Sequence, residues 1–165
     1  MKLSKRLAAI AGHIDKGACV ADIGTDHGYL PVYLARSGLA GRVIASDISE
    51  ASLSSARRSA VRYGVEGSIT FITAPGLSGI CEMEIDTVVI AGMGGETIIG
   101  ILAGAPWLKN REVKLVLQPQ TKIYELSRWL IQNGYAIQDA QLVQEKGKNY
   151  TIIIGRNAVP PLFPH

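Results

Sequence analysis

The feature that most constrains this chain is a switch of hydrophobic period repeated along its length. Short apolar runs alternate with stretches whose apolar residues recur every three to four positions. Residues 18–23, 42–46, 68–73, 85–91 and 113–117 read as five buried strands. Helices are predicted over 3–11, ahead of the first strand, and over 28–37, 50–63, 96–103 and 121–133. Ser49 is the expected N-cap of the helix over 50–63, and Gly38, Gly64 and Gly134 stop three of the five. Leu53, Ala56, Ala60 and Val61 form the expected core stripe of that helix; Ile123, Leu126, Leu130 and Ile131 form that of the last. Two further runs, 135–144 and 150–155, are separated only by 145–149. No crossover helix fits there, so this pair must be an antiparallel hairpin. The expected architecture is α/β: a parallel sheet with helices on both faces and a C-terminal antiparallel hairpin.

With 165 residues, 47% of them hydrophobic, the chain is long and apolar enough for one domain, read as 1–157 with an irregular, proline-rich tail over 158–165. A net charge of +3 permits contact with nucleic acid without demanding it. Cys19 and Cys81 stand singly, with no CxxC or CxxH, so neither a metal site nor a disulfide framework is expected. No run of eighteen apolar residues occurs and no leader pattern opens the chain, so a soluble cytoplasmic protein is expected, with no membrane partner.

Four segments carry candidate chemistry, each at the end of a predicted strand. The first is Asp22-Ile23-Gly24-Thr25-Asp26-His27-Gly28-Tyr29-Leu30. Gly24 allows a tight turn against a ligand. Asp22 departs from a dinucleotide fingerprint, because a carboxylate there repels a pyrophosphate and suits the ammonium of a methionine moiety instead. Asp47 ends the second strand, where doubly wound folds place the acid that holds ribose hydroxyls; a helix N-terminal acid is the alternative. Three glycines in Ile90-Ala91-Gly92-Met93-Gly94-Gly95-Glu96 imply close backbone approach to a ligand. In Leu117-Gln118-Pro119-Gln120, either Gln118 or Gln120 can hydrogen-bond a base edge, and a plain strand-ending turn accounts for each equally well. His27 reads as a base, a stacking partner or a helix cap.

Residues 22–31 (Asp-Ile-Gly-Thr-Asp-His-Gly-Tyr-Leu-Pro), 90–95 (Ile-Ala-Gly-Met-Gly-Gly) and 115–119 (Leu-Val-Leu-Gln-Pro), with the opening Leu-Ser-Lys-Arg-Leu at 3–7, resemble the bacterial tRNA (adenine(22)-N1)-methyltransferases. The similarity covers about residues 1–157. It implies a Rossmann-like class I methyltransferase fold, S-adenosylmethionine as methyl donor, and tRNA as the partner methylated at N1 of an adenine. On this resemblance Asp22, Gly24, Asp26, His27, Gly28, Tyr29 and Leu30 surround the methionine end of the donor, with Thr25 also in the donor site, and Asp47 and Ile48 hold its ribose and adenine. Gly76, Leu77, Ala91, Gly92, Met93 and Gly94 complete the donor site, the last three beside the methyl, and Asp26, Tyr29 and Gln118 are the catalytic candidates.

Three departures accompany the likeness. The family usually has Gly-Asp-Gly-Leu where Ala74-Pro75-Gly76-Leu77 stands, and loss of that Asp is expected to weaken donor affinity. It has Gln-Pro-Asn in place of Gln118-Pro119-Gln120. Its members continue into a helical domain that helps to hold tRNA, whereas this sequence stops at His165. Attack by adenine N1 needs no prior deprotonation, so positioning and charge stabilisation are the protein's work, with Asp26 near the methyl or the base and Tyr29 against the base. The target must be unpaired or flipped out, since N1 lies on the pairing edge. Lys2, Lys5, Arg6, Arg57, Arg58 and Arg62 are candidate phosphate contacts, with a solvated helix face the favoured reading of the last three. Two other classes stay open: a donor-binding protein inactive on tRNA, and a methyltransferase with a different substrate.

Overall fold

The computed structural model describes residues 1–81 and 83–158. Five of its seven strands are parallel: β1 (Cys19–Ile23), β2 (Arg42–Asp47), β3 (Ile69–Thr73), β4 (Thr87–Met93) and β5 (Lys114–Pro119). The hairpin of β6 (Tyr135–Glu145) and β7 (Lys148–Asn157) completes one sheet in the order β3-β2-β1-β4-β5-β7-β6, with β7 antiparallel to β5.

The period-2 alternation of each strand feeds two separate cores. Ala21, Ile23, Val88, Ile90, Leu115, Leu117 and Ile153 point to one face, where Ile98 and Leu102 of α4 (Gly95–Ala103) and Leu126 and Leu130 of α5 (Ile123–Gln132) cover them. Val20, Val89, Val116, Ile152 and Ile154 point to the other. There they meet Ile10 and Ala11 of α1 (Lys5–Ala11), Leu30, Val32 and Leu34 of α2 (Tyr29–Ser37) and Ala60 of α3 (Glu50–Arg62). Each strand is thus buried on both sides, which is why it reads as a near-continuous apolar run.

Capping agrees with the sequence. Ser49 accepts from the Ser52 N–H, and Gly38 ends α2 in the left-handed region at φ +72°. Two core stripes need correction. Val61 is 62% exposed: it lies about 100° around the helix from Ala60, off the line through Leu53, Ala56 and Ala60. Ile131 is exposed for the same geometric reason, and Ile123, though in line with Leu126 and Leu130, is exposed as the first residue of α5, leaving Leu126 and Leu130 as the buried line. The hairpin turn is also tighter than 145–149. Only Lys146 (φ +50°) and Gly147 (φ +76°) remain between paired Glu145 and Lys148, the two positive φ values of a two-residue primed turn. Ala158 is the last residue described, so the rest of the tail expected over 158–165 lies outside the described residues.

α1 is placed by the hairpin rather than by its neighbours in sequence. It packs on β6. Ser4 caps it through the Leu7 N–H, while Glu145 at the end of β6 accepts from the Lys5 N–H at 2.9 Å. Those two backbone hydrogen bonds satisfy orphan donors of the first turn. The Lys5 N–H most, then the Arg6 N–H and the Lys146 and Lys5 charges, hold the Glu145 carboxyl below its ordinary range.

Candidate functional site

In an open parallel sheet the ligand crevice lies outside the carboxyl ends of the strands, where the strand order reverses. Here that point lies between β1 and β4, and a cavity of about 990 Å³ opens there. Its floor is the loop after β1. Gly24 turns at φ +74°, and the Gly24 and Thr25 N–H groups both donate to the Ser46 carbonyl, at 2.8 and 3.0 Å. Asp22 is 6% exposed and its Oδ2 accepts from Thr25 Oγ1 at 2.9 Å. Burial pushes the Asp22 carboxyl up to about 7; the Thr25 hydrogen bond and the Arg6 guanidinium oppose this, and the Asp47 charge adds to it. A cation arriving beside Asp22 would meet a buried carboxylate with little compensation.

Asp47 closes β2 at the next wall. Its Oδ1 accepts from the Ser49 N–H at 2.9 Å and its Oδ2 from the Asp26 N–H at 3.2 Å. Ile48 beside it is exposed to the cavity, and Ala74, Pro75 and Gly76 line the same side. Asp26 sits at φ +55°, a conformation Asp tolerates better than most residues, with its carboxylate exposed. At the mouth the His27 and Tyr29 rings stack at 5.5 Å. His27 Nδ1 lies 3.0 Å from Ser55 Oγ, so the ring is held from behind.

The third wall is the end of β4, where the pairing register with β5 shifts between Ala91 and Met93 and Gly92 turns at φ +75°. Met93 reaches across to Gly24, so that a Cβ on Gly24 would collide with Met93 Cε. The fourth wall is the N-terminal segment, including Lys2, Leu3, Arg6 and Leu7.

The cavity therefore gathers Asp22, Gly24, Thr25, Asp26, His27, Tyr29, Leu30, Asp47, Ile48, Gly76, Ala91, Gly92 and Met93 from the sequence-based set. Four others fall elsewhere. Gly28 caps α2 with its back against α3: a Cβ there would lie 2.7 Å from Ala56 Cβ. Leu77 is core. Gly94 is the N-cap of α4, and a Cβ on it would lie 3.0 Å from Thr121 Oγ1. Gln118 is wholly buried, with both ends of its amide engaged inside the protein, and Gln120 faces the cavity in its place. The strand end explains this: β5 runs on to Pro119, so Gln118 lies inside the sheet, while Gln120 falls just past the end of the strand.

Sequence reasoning missed Tyr63, Thr97 and Ile101 as cavity residues, and it placed Arg6 on phosphate. Arg6 instead turns inward, its Nη1 donating to Gln118 Oε1 at 3.0 Å and its guanidinium 5.9 Å from the Tyr150 ring. Arg57 and Arg62 are occupied by Glu50 and Tyr63 respectively. Among the described residues no cluster of three or more His, Cys, Asp or Glu side chains could hold a metal ion, and no helix is long and apolar enough to cross a membrane.

The family model of the methyltransferase domain matches residues 3–153, and a doubly wound sheet with this hairpin and crevice is the architecture of that class. The tRNA (adenine(22)-N(1))-methyltransferase of Bacillus subtilis is 39% identical over 155 residues, which are 93% of this chain and 65% of that protein. The crystal structure of the B. subtilis m1A22 tRNA methyltransferase TrmK superposes with a TM-score of 0.86 at 35% identity, covering 94% of this chain and 67% of that one. That of Streptococcus pneumoniae Sp1610, in complex with S-adenosyl-L-methionine, does so with a TM-score of 0.88 at 32% identity, covering 98% and 75%. The chain belongs to the tRNA (adenine(22)-N1)-methyltransferase family, and it spans about two thirds of the length of the B. subtilis relative.

Proposed function

We propose that this protein transfers a methyl group from S-adenosylmethionine to N1 of an adenine, at position 22, in tRNA, and that residues 1–157 are the domain that does so, working in the cytoplasm. The observation that carries the reading is the crevice itself: a buried carboxylate at Asp22, a second carboxylate at Asp47 and left-handed glycines at Gly24 and Gly92, converging at the switch point of a methyltransferase sheet. These residues fit the donor. Asp22 suits its ammonium, Asp47 has lone pairs left for ribose hydroxyls, and Ile48 offers an apolar face to its adenine. Pro75 carries no side-chain acceptor on that wall, so the donor's adenine amine finds no side-chain partner from it.

When bound, S-adenosylmethionine supplies a methyl group on a positively charged sulfur. The protein's residues set the geometry. The His27–Tyr29 ring pair at the mouth forms a stacking platform for a base withdrawn from its helix. Asp26, exposed beside it, stabilises the positive charge as it passes to the base. Lys2 at the rim, with Lys5 and the hairpin-tip Lys146 and Lys148 brought near it by Glu145, offers positive charge to the RNA backbone.

The test is calorimetric titration with S-adenosylmethionine, followed by nucleoside mass spectrometry of unmodified tRNA transcripts bearing A22 or G22. The expected result is donor binding and 1-methyladenosine only in the A22 transcript. Binding without transfer to tRNA would leave a donor-binding protein or another acceptor; absence of donor binding would end the reading.

A further inference from the structure

Arg6 starts a chain of hydrogen bonds that ends in the crevice. Gln118 Oε1 accepts from Arg6 Nη1 at 3.0 Å and from the Gly92 N–H at 3.1 Å. A guanidinium and a backbone N–H can only donate, so the Gln118 atom between them is its oxygen. Its nitrogen then donates twice, to the Pro119 carbonyl at 3.1 Å and to Gln120 Oε1 at 3.2 Å. The buried amide is thereby satisfied at both ends, and its orientation admits no flip without setting donor against donor. The same logic passes to the next residue. The Gln120 oxygen is engaged inward and its backbone N–H is held by the Met93 carbonyl at 2.7 Å. The side-chain nitrogen is the end left for the crevice, which Gln120 lines.

We infer that Arg6, acting through Gln118, is a positioning residue that presents Gln120 Nε2 as a hydrogen-bond donor to a ring nitrogen of the methyl-accepting base. The inference rests on the reading of adenine as the acceptor. Adenine N1 must keep its lone pair for the methyl, and the N6 amine is itself a donor. N7 and N3 are the atoms that a fixed donor can hold. The target is then gripped on one edge while another faces the methyl, and a base lacking that lone pair is not held.

Gln120→Met removes the donor without adding charge, and Gln120→Asn keeps it. Q120M should lower kcat/KM for tRNA about tenfold with donor Kd within about twofold, while Q120N stays near wild type. A transcript with 7-deazaadenine or 3-deazaadenine at the target should reproduce the loss in the wild type, and the analogue that does so should add nothing to Q120M. Gln118→Glu still accepts from Arg6 and Gly92 but cannot donate to Gln120, so its loss should not add to that of Q120M. Full activity in Q120M, equal losses in Q120M and Q120N, or two silent deaza analogues would overturn the inference. The relay is also read without catalysis: in the free, nitrogen-15-labelled protein the Gln120 side-chain amide signals should move in Arg6→Met, and unmoved signals would overturn it. A wild-type protein that binds the donor and methylates no tRNA defeats the functional reading, and the amide signals then decide the relay alone.

Discussion

Replacing Asp22 by Asn should stabilise the unliganded protein at alkaline pH while removing donor binding. The folded protein holds the Asp22 proton up to about 7, whereas the ordinary value is 3.8. Between those values the folded state binds more protons than the unfolded chain. Asp22 therefore costs nothing below pH 3.8, and stability falls as pH rises toward 7. Each pH unit in that window is worth about 1.4 kcal/mol, giving a limiting cost of about 4 kcal/mol, of which about 3 kcal/mol falls between pH 5 and 8. Asn keeps an oxygen for the Thr25 hydroxyl and carries no charge to bury. Urea unfolding of wild type and D22N at pH 5, 6, 7 and 8 isolates the site, because all other titrations cancel in the difference. The variant should gain on the wild type by about 3 kcal/mol across that range. Parallel curves would show that the carboxylate is hydrated and would refute the burial argument. The wild type should also bind S-adenosylmethionine about tenfold more weakly at pH 6 than at pH 8, since the ammonium needs the ionised form.

Gly28→Ala should destabilise the fold by more than about 2 kcal/mol, read by thermal unfolding, because its φ of +74° and the Ala56 backbone 2.9 Å from the new Cβ both oppose it. Gly24→Ala should cost about 1–2 kcal/mol of backbone strain, since the Met93 tip can swing aside, and its larger effect should appear as weakened donor binding by calorimetry. Lys146→Glu with Lys148→Glu should weaken tRNA binding and lower the slope of log K against log salt by about 2, with donor affinity unchanged, in filter-binding titrations at several salt concentrations.

The topology was legible because each buried strand announces itself twice, as an apolar run and as the end of a helical stripe. The runs that became β1, β2, β4 and β5 need no partner to be recognised. The loop carrying Asp22 and Gly24 was legible too, since a carboxylate before a turn glycine is a local chemical statement. What escaped was set by tertiary placement. Nothing local says that α1 docks on β6, so Arg6 reads as a phosphate contact although it points inward. Gln118 and Gln120 look equivalent in sequence; only the continuation of β5 to Pro119 decides which is buried. Ile131 and Val61 show the limit of reading a stripe in a helix of 10 or 13 residues, where one position of phase error puts an apolar residue in solvent, and Ile123 shows that a residue in phase is still exposed at the helix end.

The clasp between Glu145 and the Lys5 amide joins groups 140 positions apart. Synthesis proceeds from the N-terminus, so the first helix emerges from the ribosome long before the strand it rests on. Until β6 and β7 exist, α1 has only α2 and the inner strands to rest on and lacks its main support, so the crevice's fourth wall is not yet fixed. The segment made first is thus fixed only when the last strands arrive, and a nascent chain holding β1 to β5 can build its sheet without yet having a fully closed pocket in which to hold a methyl donor.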